Sequence, residues 1–430
     1  MKHLIIIGNS AAGHKAAITA RELDSSLKIS VISDEKAGAY SRNLLAGVLE
    51  NNLKFRDIVF ADEKFYEQKN IQFISGKKVE KINTNKNWVT FIDKTRLVYD
   101  ALIVASGMSM SVPKCVKGAA KHGVIGFRSI SDLNDIIQLM PISHTVCIWG
   151  GGLAGLQAAA ALKKKRMEVK VIISGDKLMP EILDENGEEF LKNRLAQQEI
   201  ELIAEKNIVD IFGDSDVKAI KLDNGKVIAC DILIVNTNFL PNTKFLDESG
   251  FDPEAIKQGL AVDVFLQTKI PNIFAAGDVL EVSDKTLGLI DQANSWFKAE
   301  AQGKIAAANA VAFLEKKDEL KAVYEPQRIN VAESQIFDLA AVCLGITRKP
   351  DDPAFEELSF VDEETNVYKK IILCGLKIVG FVAVGNTQER DIFSQLIEQQ
   401  TDISQVKDDL IDQDFNSELL KQLIAKPIAA

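Results

Sequence analysis

The chain has 430 residues, 47% of them hydrophobic and 26% charged, and a formal net charge of −10. That length holds two to four domains at roughly 100–200 residues each, and the composition is that of a folded globular protein. The acidic balance counts against nucleic acid or anionic lipid as the main partner. The five cysteines, Cys115, Cys147, Cys230, Cys343 and Cys374, include no C-x-x-C pair, which argues against a thioredoxin-like dithiol, a zinc ribbon or a cysteine-held iron–sulfur cluster within the chain. No stretch approaches the ~18 apolar residues of a membrane span, and the N-terminal apolar run is too short for a secretion signal. The expectation is a cytoplasmic protein with no membrane span.

The first thirteen residues organise the rest. Leu4 to Ile7 reads as a buried parallel strand, Gly8 permits a sharp turn, and Ala11 to Arg21 reads as a helix. A helix that starts so abruptly presents unpaired N–H groups and the positive end of its dipole, which suits a pyrophosphate. The segment Gly8, Asn9, Ser10, Ala11, Ala12, Gly13 follows the dinucleotide fingerprint G-x-G-x-x-G, with Ser10 at the middle glycine. Taken alone, it is equally a tight strand–helix turn.

A second strand from Lys28 ends in Asp34 and Glu35. Asp34 stands a little beyond the spacing of about 20 residues at which a carboxylate meets an adenosine ribose. The alternative is a solvated loop acid. A loop from Ala39 to Leu45 carries Arg42, and a short strand follows around Gln72–Ser75. An apolar strand from Tyr99 closes on Ala105, Ser106 and Gly107, where small residues let a ligand pass close to the backbone.

The pattern then repeats. Thr145 to Trp149 is another strand, and Gly150, Gly152, Leu153, Ala154 and Gly155 form an intact G-x-G-x-x-G loop before a helix from Leu156 to Lys165. The next strand, Val169–Ile173, ends at Ile173 with neither an acid for a ribose hydroxyl nor an arginine for a 2′-phosphate, and the substitutes on offer, Asp176 and Lys177, lie a few residues late. The run Lys163 to Arg166 can be read as a phosphate site, but the favoured reading is a solvated helix C-terminus where positive charge suits the dipole. An amphipathic helix (Gly187–Gln198), a strand (Glu201–Ile203), a β-meander (Val217–Ile228) and a closing strand (Asp231–Val235) complete the second copy. A protein that holds two dinucleotides usually passes electrons between them.

Pro271 to Val279 is a short strand ending in a Gly277–Asp278 corner, and Trp296 precedes a helix from Ala299 to Glu315. Beyond residue 325 the pattern becomes strands (Gln327–Ala332, Leu339–Leu344, Lys369–Cys374, Leu376–Val384), then a helical segment (Ile392–Glu398) and an acidic helical end. This reads as a small α+β domain.

Assembled, these residues resemble the pyridine-nucleotide–disulfide oxidoreductase superfamily, in the branch of rubredoxin reductases and the N-terminal part of the nitrite reductase large subunit. Gly8 to Gly13 matches the FAD pyrophosphate loop, and Ala105-Ser106-Gly107 stands where the family has Ala-Thr-Gly. Tyr40-Ser41-Arg42 resembles its loop beside the flavin, and Val79 the residue whose backbone meets the adenine. Ala276-Gly277-Asp278 resembles the motif whose Asp holds the ribityl chain, and Trp296 with Gln302-Gly303 matches the helix that follows. The resemblance implies an α/β protein with two Rossmann-like domains, for FAD and NAD(P), the first interrupted by the second, and a small α+β interface domain. Its boundaries would be 1–112 and 241–322 for FAD, 113–240 for NAD(P) and 323–430 for the interface. It also implies a flavin that exchanges electrons between NAD(P)H and a small iron–sulfur protein of rubredoxin or ferredoxin type, in a homo-oligomer or as a complex subunit.

The sequence departs from that pattern in four places. Asn43 stands where disulfide reductases carry a redox Cys, so thiolate chemistry is not expected there. Gln157 replaces a Glu near the nicotinamide, Ile173 the ribose acid, and Asn238 the Gly of a Gly-x-x-Pro-Asn turn. These last three leave open a second reading, a flavin relay subunit of an iron–sulfur complex with a degenerate NAD(P) site.

Overall fold

The structure, a computed structural model, describes residues 1–247, 249–256, 258–280, 296–325, 331–410 and 418–424. It divides into two compact units: Met1–Ser111 with Arg128–Ser131 and Asn238–Pro326, and Val112–Phe127 with Asp132–Thr237 and Gln327–Ala430.

The first unit is built on a five-stranded parallel sheet, ordered Ile273–Ala275, Ala101–Val104, His3–Ile7, Lys28–Ile32, Gln72–Ile74. The inner strands are apolar on both faces because both faces are covered. On one side lie the helices Ala11–Leu23 and Trp296–Glu315, which meet through alanines including Ala12, Ala16, Ala306 and Ala310. They cross so closely that a Cβ on Gly303 would lie 2.2 Å from the carbonyl oxygen of Ala12. On the other side a three-stranded meander (Val79–Asn83, Trp88–Phe91, Arg96–Val98) packs Val79, Ile82, Val89 and Phe91 against Ile5, Ile7 and Ile32. The chain leaves and re-enters this unit through a two-stranded ribbon, Met108–Met110 against Phe239–Pro241.

The second unit repeats the plan. Its parallel sheet runs Val124–Ile125, Ile232–Val235, Thr145–Trp149, Glu168–Ile172, Glu201–Ile203, with helices Leu153–Lys164 and Glu185–Gln197 and a meander of Ile208–Phe212, Ala219–Leu222 and Val227–Ala229. A separate antiparallel sheet follows in the order Val331–Ile336, Leu339–Gly345, Lys377–Gly385, Val367–Cys374, Phe355–Asp362. One face is covered by the helix Arg390–Gln399, where Phe393 stacks on Phe381 at 3.9 Å. From the opposite face Tyr368 donates to Asp184 Oδ1 at 3.0 Å, and its Cζ would stand 2.5 Å from a Cβ on Gly187.

The α/β class, the two Rossmann-like sheets and the small α+β domain are as the sequence leads one to expect. The meander at residues 79–98 and the edge strand Phe355–Asp362 are additional. The expected strand from Gln327 is seen as Val331–Ile336, since residues 327–330 lie outside the described residues. Of the acidic end, Glu418–Ile424 is helical, and residues 411–417 and 425–430 lie outside the described residues. No described helix is long and apolar enough to cross a membrane.

The glycine environments predict two unequal effects. Gly303→Ala drives a methyl into backbone and should cost about 2–3 kcal/mol. Gly225→Ala, with φ +86° but nothing within 4 Å, should cost about 1 kcal/mol. Calorimetric melting of both variants checks this; equal shifts would contradict the helix crossing.

Candidate functional site: two dinucleotide crevices

In the first sheet the chain moves outward from His3–Ile7 in both directions, so the strand order reverses between His3–Ile7 and Ala101–Val104. Ligands of open α/β sheets bind beyond the carboxyl ends of the strands at such a switch point. Gly8 sits there with φ +111°, and a Cβ on it would lie 2.0 Å from the Ala105 carbonyl oxygen. A Cβ on Gly13 would lie 2.0 Å from the oxygen of Gly8. Only glycine satisfies either position. Ser10 has φ −109°, extended backbone open to any residue, which explains why the middle glycine can be replaced. Ser10 makes no side-chain cap, and the first helical turn holds no acid, which leaves the first-turn N–H groups open to an acceptor from outside the helix. Asn9 Nδ2 is buried with no partner among the described residues.

The other expected residues gather around this loop to different degrees. Ser106 Oγ donates to Asn242 O at 2.9 Å, and Asn242 Nδ2 returns a bond to Ser106 O at 2.9 Å, holding the Ala105–Gly107 turn open. Gly277, with φ +81°, donates its N–H to the buried Gln302 Oε1 at 2.8 Å. Asp278 is paired with Arg128. Arg42 is paired with Glu35, donates from Nη1 to Arg128 O at 2.8 Å and from Nε to Ser10 Oγ at 3.3 Å. Tyr40 donates to Glu35 at 2.5 Å and accepts from Ile130 N at 3.0 Å. Burial, with Glu35 alongside, pushes the Tyr40 phenol up, so it stays protonated at neutral pH. Asp34 is exposed just past its strand, Val79 is buried in the meander, and Trp296 opens its helix with Phe60 edge-on at 5.7 Å. Glu35 is thus committed to Tyr40 and Arg42, which leaves Asp34 as the acid of that strand end facing solvent.

Arg128 was not among the expected residues. It lies in a segment, Arg128–Ser131, that returns to the first unit from the midst of the second. A single cation before a helix carries no periodic or spacing signal.

The second crevice copies the first. Its switch point lies between Thr145–Trp149 and Ile232–Val235. Gly150 has φ +123°, a Cβ on it would stand 2.3 Å from Asn236 O, and one on Gly155 would stand 2.4 Å from Gly150 O. Gly152 caps the helix opened by Leu153 and Ala154, and nothing but Asn236 Nδ2 comes within 4 Å of its Cβ position, at 3.7 Å. That is room for a pyrophosphate. The end of the neighbouring strand is different. Ile173 and Leu178 are buried, and their methyl groups reach within 2.6 and 2.7 Å of a Cβ placed on Gly151. Asp176 and Lys177 beyond them are exposed, Lys177 3.8 Å from Glu185. Gln157 is buried and donates from Nε2 to Ser334 Oγ and Gln335 O, both at 2.8 Å. Asn238, the third departure, has φ +51° in the first unit's ribbon and donates to Ser111 O at 2.9 Å. Asn is one of the few residues that accept this conformation in place of Gly, so this change preserves the turn.

The residues of the first crevice fit FAD: two backbone cradles that a Cβ would fill, an orphaned amide donor and a ring of charged partners. Those of the second fit a dinucleotide pyrophosphate and have the apolar Ile173 and Leu178 beside it. Among the described residues no group of His, Cys, Asp or Glu is arranged to hold a metal.

Comparison with known proteins identifies the family and the fold. Residues 2–303 match the family described as pyridine nucleotide-disulphide oxidoreductase, and residues 335–401 match the rubredoxin NAD+ reductase C-terminal domain. The chain is 30% identical to a nitrite reductase [NAD(P)H] of Bacillus subtilis over 94% of its own length and 48% of the relative's. It is 26% identical to the assimilatory nitrate reductase electron transfer subunit of the same organism, over 98% of its length and 52% of the relative's. It therefore spans about half the length of these two relatives. Its fold superimposes on a ferredoxin reductase from Rhodopseudomonas palustris with a TM-score of 0.83, at 22% identity, covering 99% of this chain and 100% of that one. The chain belongs to the pyridine nucleotide-disulphide oxidoreductase family, whose members are flavin oxidoreductases that use FAD and NAD(P)H.

Proposed function

We propose that this chain is a flavin-dependent electron-transfer oxidoreductase that exchanges electrons between NAD(P)H and a small iron–sulfur protein of rubredoxin or ferredoxin type. The observation that carries this reading is the duplicated cradle, Gly8 against Ala105 and Gly150 against Asn236, in a chain that belongs to a flavin oxidoreductase family. The match of the C-terminal sheet to a rubredoxin reductase domain supports a small electron carrier as partner. Bound FAD supplies the conversion between a two-electron hydride donor and a one-electron carrier.

The chain's own residues have the following parts. Gly8, Ser10, Ala11, Ala12 and Gly13 present first-turn N–H groups to the FAD pyrophosphate. Asp34 accepts from the adenosine ribose, and Glu35 holds Arg42 and Tyr40 in place. Val79 lines the adenine side. Ala105, Ser106, Gly107, Gly277 and Asp278 bring backbone and one carboxylate to the rest of the cofactor, with Arg128 steadying Asp278. Arg42 offers positive charge to the reduced ring, and Trp296 covers its edge of the pocket. Gly150, Gly152, Leu153, Ala154 and Gly155 receive the pyrophosphate of NAD(P)H. In this reading residues 1–112 and 241–322 form the FAD domain, 113–240 the NAD(P) domain and 323–430 the interface domain. In this reading the chain hands electrons to a separate carrier, and it works as a homo-oligomer or within a complex.

A second reading is favoured by Ile173, Leu178 and Gln157. Apolar packing at the ribose position and a Gln tied to Ser334 and Gln335 suit a relay subunit that receives electrons from a protein rather than from NAD(P)H. Similarity to an electron transfer subunit is in keeping with it.

Anaerobic titration of the flavoprotein with NADH, NADPH and reduced ferredoxin, followed by flavin absorbance, separates the two. Prompt bleaching by either nicotinamide is expected for the enzyme; bleaching by ferredoxin alone would replace it with the relay. For the enzyme, Ile173→Glu should restore a ribose acid and tighten NADH binding about tenfold without tightening NADPH. Unchanged binding of both in a folded variant would contradict the role given to that position.

A further inference from the structure

Behind the first glycine loop runs a line of three polar side chains. Tyr66, on the helix Glu63–Gln68, is fully buried and donates its hydroxyl proton to Asn9 Oδ1. His14, in the first turns of the helix Ala11–Leu23, places Nδ1 2.9 Å from the same hydroxyl oxygen. A phenol has one proton to give, and here Asn9 receives it. His14 is then the donor to Tyr66 and carries its own proton on Nδ1. Burial, reinforced by Lys15, pulls His14 down to about 4, so it is neutral at pH 7. The line of donors runs from His14 to Tyr66 to Asn9 and ends at Asn9 Nδ2, which is buried and without a partner among the described residues. A buried N–H left unmade is costly to a fold unless something else satisfies it. Asn9 stands between Gly8 and Ser10, beside the N-terminus of a 13-residue helix. In the second loop the equivalent place is Gly151, covered by Ile173 and Leu178. The side-chain amide is therefore peculiar to the first crevice.

We propose that Asn9 is a cofactor-anchoring residue whose Nδ2 donates to an acceptor oxygen of the FAD pyrophosphate, and that Tyr66 and His14 are positioning residues that fix the orientation of its amide. This rests on the reading of Gly8–Gly13 as the FAD loop. The arrangement spares the loop the freedom of an amide that could otherwise turn its carbonyl toward a phosphate.

The test is FAD binding to the full-length apoprotein, followed by quenching of flavin fluorescence, in wild type, Asn9→Asp and Tyr66→Phe. Asn9→Asp keeps the oxygen that accepts from Tyr66 and exchanges only the donor for a second oxygen. At about pH 7.5 it should bind FAD about ten- to a hundredfold more weakly, because an acceptor now faces phosphate. Affinity should recover toward about pH 4.5 as the introduced carboxyl takes up a proton, while wild type stays flat. Tyr66→Phe should weaken binding about three- to tenfold at all of these pH values. Binding by Asn9→Asp within twofold of wild type at about pH 7.5, or a loss that does not recover with acid, overturns the role of Asn9. Wild-type protein that takes up no FAD at all overturns instead the reading on which the proposal rests.

Discussion

The approach of a carbonyl to a glycine where no side chain would fit governs both halves of this molecule. Ala105 O lies where the Cβ of residue 8 would be, and Asn236 O where that of residue 150 would be. With two adjacent parallel strands ending so close together, the chain must turn at once into a helix, and the helix N-terminus is delivered to the switch point of the sheet. The third glycine of each loop, Gly13 or Gly155, lets that helix lie against the first. The middle position is held by neither constraint, which is why one loop carries Ser10 and the other Gly152. What the loops bind follows from this geometry, since N–H groups gathered at a positive helix end suit a pyrophosphate whichever dinucleotide brings it.

The two crevices diverge in what surrounds the cradle. Around the first, Glu35, Arg42, Arg128 and Asp278 form two half-buried ion pairs joined by the bond from Arg42 to the Arg128 carbonyl. Half-buried guanidinium–carboxylate pairs hold geometry better than exposed ones, because fewer waters compete for them. They tie the acid strand, the loop after it and the returning segment 128–131 into one frame. Around the second, the neighbouring strand end is apolar at Ile173 and Gln157 is turned to the C-terminal sheet. That sheet is fastened to the same lobe by Tyr368 on Asp184 and by Arg194 on Asp338 at 2.7 Å. The second lobe thus serves at least as a platform for the C-terminal sheet, whatever it binds.

Much of this was legible in the residues. Both glycine loops, the acid strand, the Gly277–Asp278 corner and the parallel strands have signals of spacing or hydrophobic run that local chemistry explains. At Asn238 a Gly-to-Asn change reads as damage to a binding turn, and its φ of +51° is a conformation that Asn, like Gly, accepts. Arg128 and Tyr66 were not legible, because their importance comes from contacts across 150 and 57 residues of chain. The strand Phe355–Asp362 was obscured by Glu356, Glu357 and Asp362 at a sheet edge, where charge discourages pairing with other chains and masks alternation.

In the reading proposed above, the two cradles are alike in build but unlike in cargo, with flavin confined to the first. Flavin content per chain, measured for wild type, Gly8→Val and Gly150→Val, tests it most directly. One FAD per chain in wild type and Gly150→Val, and none in Gly8→Val, is the predicted result. Loss of flavin from Gly150→Val, or its retention in Gly8→Val, would rule out a flavin held by the first cradle alone.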